Sequence, residues 1–167
     1  MRMFRGGWMT VAALAAILGA GLSTHLAWAG KKSARTFSAQ INGRQLTARN
    51  RHTLGTYNGS IFLFEGSKPG GLRGTTRTAA FTCIAIGLET ATFPLTLACG
   101  GTYQEVQRTT VRSWSSLHGL QVTIDSFDGT RATGTFSGTL EITSGSAGPL
   151  APAPVENGRF SVIVTRS

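Results

Sequence analysis

Between Thr130 and Thr143 the chain reads TRATGTFSGTLEIT, and the character of the side chains switches at almost every step. Ala132, Gly134, Phe136, Gly138, Leu140 and Ile142 share one parity; Arg131, Thr133, Thr135, Ser137, Thr139 and Glu141 share the other. A period of two sends successive side chains to opposite faces of a pleated strand, whereas a helix would scatter this pattern around its axis. The stretch is therefore a strand with one dry face and one wet face. Glycines beside Phe136 on the dry face are read as room for aromatic packing rather than as a ligand site.

The same signature recurs along the chain. Phe37, Ala39 and Ile41 alternate with Thr36, Ser38 and Gln40, and Asn42-Gly43 follows. That dipeptide suits a type I′ hairpin turn, which requires positive φ at both central positions. The return strand turns Leu46 and Ala48 inward. Further strands are expected at 60–65 (SIFLFE), 77–86 and 95–102, with another one or two across 103–114. Leu120, Val122 and Ile124 alternate again before the turn SFDG at 126–129, and GRFSVIVT closes the chain at 158–165. The segment 49–59 (RNRHTLGTYNG) is expected as a loop. The segment SGSAGPLAPAP at 144–154 is also expected as a loop, because prolines do not donate to a ladder. No segment beyond the leader holds a 3.6-residue period over three turns. The expected fold is all-β: one domain, a β-sandwich or small β-barrel of about eight to nine strands.

The N-terminus sets the compartment. Arg2 and Arg5 precede the apolar run Trp8 to Leu22, and Ala27-Trp28-Ala29 supplies a small-x-small site. This is the order of a secretory signal peptide, and the run is short of the roughly 20 apolar residues of a bilayer-spanning helix. Residues 1–29 are read as the signal peptide, 30–35 as a flexible leader and 36–167 as the β domain. Cleavage after Ala29 leaves 138 of the 167 residues and lowers the formal charge from +9 to +7. The expected location is the periplasm or the exterior, with no integral membrane segment after cleavage. In that setting the chain's two cysteines, Cys83 and Cys99, are expected to pair. Each lies in an apolar run that reads as one of two adjacent strands.

Catalytic chemistry finds little support. Ser115 or Ser116, His118 and Asp125 supply the types of a nucleophile triad, but triads are defined by geometry and no G-x-S-x-G elbow is present. Asp125 and Asp128 flank a glycine-containing turn, where aspartate serves the local backbone. No cofactor motif or metal-ligand spacing occurs, and the chain is read as a non-enzyme. Its basic excess is mostly arginine, densest at Arg49 and Arg51, with Arg73 and Arg77 next. These four are the candidate contacts for a polyanion such as an envelope glycan or lipopolysaccharide. Nucleic acid is not an expected partner, because export separates the chain from the chromosome and no basic cluster interleaves with stacking aromatics.

Three stretches, FSAQING at 37–43, GTFSGTL at 134–140 and NGRFSV at 157–162, resemble small exported bacterial envelope proteins of all-β type. That group implies an envelope location and includes many lipoproteins, but it implies no activity. This chain differs in having Leu46 where an aromatic is common and in lacking a lipid-anchor cysteine. Sequence thus leaves three functional expectations: a non-catalytic binding or structural module of the envelope, a polyanion-binding protein, or a lipocalin-like carrier of a small apolar ligand.

Overall fold

The computed structural model describes residues 34–72, 74–145 and 150–167. Residues 1–33, which hold the segment read as a signal peptide and the first part of the expected leader, and Arg73 lie outside the described residues. Nine strands follow in order: β1 Thr36–Ile41, β2 Arg44–Arg49, β3 Thr53–Tyr57, β4 Ile61–Lys68, β5 Thr76–Ile84, β6 Leu95–Gln107, β7 Thr110–Phe127, β8 Arg131–Gly145 and β9 Ala153–Arg166. Among the described residues the helical element is one 3-10 turn, Asn50–His52.

Strands β3 to β9 pair with their sequence neighbours in antiparallel fashion, and β9 returns to β3 in parallel through Gly55 opposite Val164 and Tyr57 opposite Arg166. The result is a closed, mixed seven-strand barrel with two further strands. The edge of β9 that meets β3 also carries β1, which pairs with Val155 to Ser161. The turn between β1 and β2 has the backbone its sequence requires, with φ of 50° at Asn42 and 71° at Gly43. Leu46 and Ala48 are buried, so the hairpin lays an apolar face over the core.

Six phenylalanines fill the middle of that core. Phe64 lies against Phe37, Phe62, Phe81, Phe136 and Phe160, with ring centroids 4.3 to 6.3 Å away. Inward glycines make the room: a Cβ on Gly66 would strike Phe37, one on Gly101 would strike Phe81, and one on Gly158 would strike Phe136. Gly134 accommodates Phe160 rather than its neighbour Phe136. Cys83 and Cys99 stand directly opposite in the β5–β6 register with Cα atoms 4.4 Å apart, and they form a buried disulfide. That separation is that of a non-hydrogen-bonded antiparallel pair, the site where facing side chains come closest.

Three stretches differ from the sequence expectation. Residues 53–57 form β3 instead of a loop. Their inward positions are Thr53, Gly55 and Tyr57, while Leu54 is exposed, so the apolar alternation that marks other strands is missing. Pro154 lies within β9; its carbonyl accepts the Asn42 N–H at 2.9 Å, so this edge uses the acceptor that proline retains. Ser115 to Leu120, which the sequence reads as a loop ending before a strand, stays within the 18-residue β7 as a wide bulge, across which Ser115 pairs with Glu141 and Leu120 with Gly138.

Candidate functional site

Four charged residues sit two positions from a buried apolar or aromatic residue of their strand. Arg44 precedes Leu46 on β2, Arg77 precedes Ala79 on β5, Glu105 follows Tyr103 on β6, and Arg112 precedes Trp114 on β7. The period of two gives each the parity of the core face. They gather at one end of the barrel, where β5 and β7 begin and β6 ends.

Register places Glu105 between two arginines, opposite Arg77 on β5 and opposite Arg112 on β7. The third, Arg44, reaches in from the β1–β2 hairpin. Glu105 is 4% exposed, and a carboxylate buried that far requires partners. Its Oε1 accepts the Tyr103 hydroxyl at 2.8 Å. Arg77 Nε stands 3.4 Å from Oε1, and Arg44 Nη1 stands 3.4 Å from Oε2. Both distances exceed the roughly 2.7–2.9 Å of a tight guanidinium–carboxylate hydrogen bond. The Nε atoms of Arg77 and Arg112 are buried and make no hydrogen bond among the described residues. Three guanidinium groups against one carboxylate leave two positive charges in excess. Lys68, opposite Arg77 in the β4–β5 register, adds another cation to this end.

Tyr103 anchors the base of the cluster. Its ring stacks on Trp114 at 5.4 Å, and Trp114 Nε1 donates to the Ala151 carbonyl at 3.0 Å. Burial, then the hydrogen bond to Glu105 and the charge of that carboxylate, raise the Tyr103 pKa well above the ordinary tyrosine range; Arg77 and Arg44 oppose this. Beside the Glu105 carboxylate lies a cavity of about 150 Å³ lined by Arg44, Thr75, Glu105, Gln107, Thr110 and Arg112. At ~30 Å³ per water, that is space for a small polyatomic ion.

The candidate residues from the sequence divide between this cluster and the outer wall. Arg77 is in the cluster. Arg49 is exposed at the end of β2, and Arg51 donates from Nε to His52 Nε2 at 3.2 Å. Arg51 lines an outer groove with Arg35, Glu65 and Ser67 on the other side of the sheet from Arg77. Arg44, Glu105 and Arg112 were not singled out by sequence as a set. The signal that could have found them is their spacing of two from Leu46, Tyr103 and Trp114.

The residues of the sequence triad do not gather into a site. Ser116 Oγ accepts the Gly119 N–H at 2.7 Å within the bulge, and His118 is exposed there. Asp125 lies farther along the same strand; the extended run from Leu120 alone spans roughly 16 Å at ~3.3 Å per residue. Asp128 Oδ1 accepts the N–H and hydroxyl of Thr130 at 2.8 Å and the Arg131 N–H at 2.6 Å, which is turn chemistry. Those hydrogen bonds, the Thr130 N–H first, lower its pKa. Among the described residues no three His, Cys, Asp or Glu side chains are placed to share a metal ion. Comparison with protein-family models, curated proteins and solved structures finds no match in any of the three.

Proposed function

We propose that this chain is an exported, non-catalytic binding module that attaches to an anionic polymer of the cell envelope through the basic end of its barrel. The observation that carries the reading is that Arg44 and Arg77 pair with the single carboxylate of Glu105 while Arg112 stands opposite it in the β6–β7 register. The formal charge of +9 for the whole chain, +7 without residues 1–29, supports it, since a net positive field draws polyanions to the surface. The buried disulfide is compatible with an oxidising compartment. No helix among the described residues is long and apolar enough to cross a membrane. The barrel wall also turns Thr96, Thr123, Thr135 and Ser137 outward, the reverse of the apolar outer band of a membrane-spanning barrel. An apolar-ligand carrier would need the interior volume that the six phenylalanine rings occupy, so the packed core favours the anion reading.

The test is retention on immobilised lipopolysaccharide across a salt gradient. Binding that is strong at low ionic strength and lost toward 1 M salt, where the Debye length is about 3 Å, is expected. Absence of retention, or retention indifferent to salt, would overturn the reading.

A further inference from the structure

Resting on the reading that this end of the barrel binds anions, we propose that the Arg44–Arg77–Arg112 cluster seats one phosphate group, with Glu105 as the residue that selects phosphate over sulfate.

The donor geometry asks for a tetrahedral oxyanion. Arg44 of β2 and Arg112 of β7 line one cavity together with Glu105, and Arg77 of β5 reaches the same carboxylate. The carboxylate already there has two oxygens, and these engage Arg77 and Arg44 at 3.4 Å each. Arg112, directly opposite Glu105, has no ion pair within 4.0 Å among the described residues, and its buried Nε lacks an acceptor. A third oxygen is needed to complete the set. A terminal phosphate or sulfate supplies three, and a carboxylate ligand supplies only two. Thr75, Gln107 and Thr110 at the cavity wall add neutral hydrogen-bonding groups.

Glu105 then decides between the two tetrahedral anions. An ionised carboxylate only accepts hydrogen bonds and has about four lone-pair sites. Tyr103, Arg77 and Arg44 lie against three of them. A phosphate monoester carries a charge of about −1.5 to −2 at neutral pH because its second pKa is about 6, so it retains a proton in part. It can donate that O–H to Glu105 while its other oxygens face the arginines. A sulfate group has no such proton and meets Glu105 as one anion meets another.

Titration calorimetry with inorganic phosphate and inorganic sulfate, on the full mature chain with its disulfide intact, tests the assignment. The expected result is tighter binding of phosphate by about tenfold or more, equivalent to ~1.4 kcal/mol. Glu105→Gln keeps an oxygen for the Tyr103 hydroxyl and removes the negative charge. In that variant sulfate binding should strengthen and the preference for phosphate should shrink. Arg112→Gln should weaken both anions, and Arg49→Gln, on the outer wall, should change neither. Phosphorus NMR of added phosphate with the unsubstituted protein gives a readout that does not depend on any variant folding. Equal affinity for the two anions, or a Glu105→Gln variant that keeps the full preference, overturns the selectivity. Salt-sensitive retention on lipopolysaccharide with no phosphate binding overturns the seat and leaves the broader reading standing. Loss of both removes the broader reading as well.

Discussion

Tyr103 ties the core to the charged end of the barrel. One side of the residue stacks on Trp114, and its hydroxyl donates to a buried carboxylate. Because folding raises its pKa, the folded state holds the phenolic proton when the unfolded chain, titrating near pH 10, has released it. The unfolded state then binds fewer protons, so this contribution is present in full below about pH 10 and is lost as pH rises through the folded pKa. Denaturant titrations of the native protein and of Tyr103→Phe at a series of pH values should show this. The variant is expected to be less stable near neutrality by about 1–3 kcal/mol, the cost of leaving a buried charged acceptor short of a donor. Its deficit should narrow as the pH passes 10. A deficit independent of pH would separate the hydroxyl from this linkage.

Turns and staples carry the next scale. At Gly43, φ is 71° and a Cβ would meet nothing within 4 Å, so the position is constrained by backbone conformation alone. Gly43→Ala should cost about 1–2 kcal/mol, the penalty of the left-handed region for an L-residue, seen as a lower denaturation midpoint with an unchanged slope. The disulfide joins β5 to β6 across a sequence separation of 16 residues. Replacing both Cys83 and Cys99 with alanine should lower stability by about 3 kcal/mol in the chain-entropy model. A change much smaller than this would mean that the adjacent ladder already restricts the loop in the unfolded ensemble. The hairpin and the disulfide pairing were legible in sequence because each depends on short-range chemistry. The β3 strand was not legible, since its apolar Leu54 faces outward and a threonine, a glycine and a tyrosine occupy the inner positions.

For the molecule as a whole, the aromatic cluster and the charged mouth divide the labour. The cluster fills the barrel interior with rings, and the mouth places charge where the apolar rows end. Phe64, central to the cluster and fully buried, should be the costliest phenylalanine to truncate. Phe64→Ala is expected to lose about 3–5 kcal/mol, read by chemical denaturation, because a close-packed interior cannot collapse fully onto the void. The charged mouth is different. Arg44 is 45% exposed at its side chain and its pair with Glu105 is partly screened, so its removal should register in anion binding more than in unfolding.

The amino-acid order by itself determined which residues alternate, where Asn42-Gly43 reverses the chain, and which cysteines pair. These follow from local rules of period, φ and proximity along neighbouring strands. Tertiary structure alone decided that the sheet closes as a barrel, because closure depends on β9 meeting β3, two strands more than a hundred residues apart, in a particular register. Register between neighbouring strands set Arg77 and Arg112 on either side of Glu105, and the packing of the β1–β2 hairpin brought Arg44 to the same mouth. Spacing of two from Leu46, Ala79, Tyr103 and Trp114 marks these residues as facing inward, but strand order and stagger decide which ends of which strands coincide, and no local pattern carries that information.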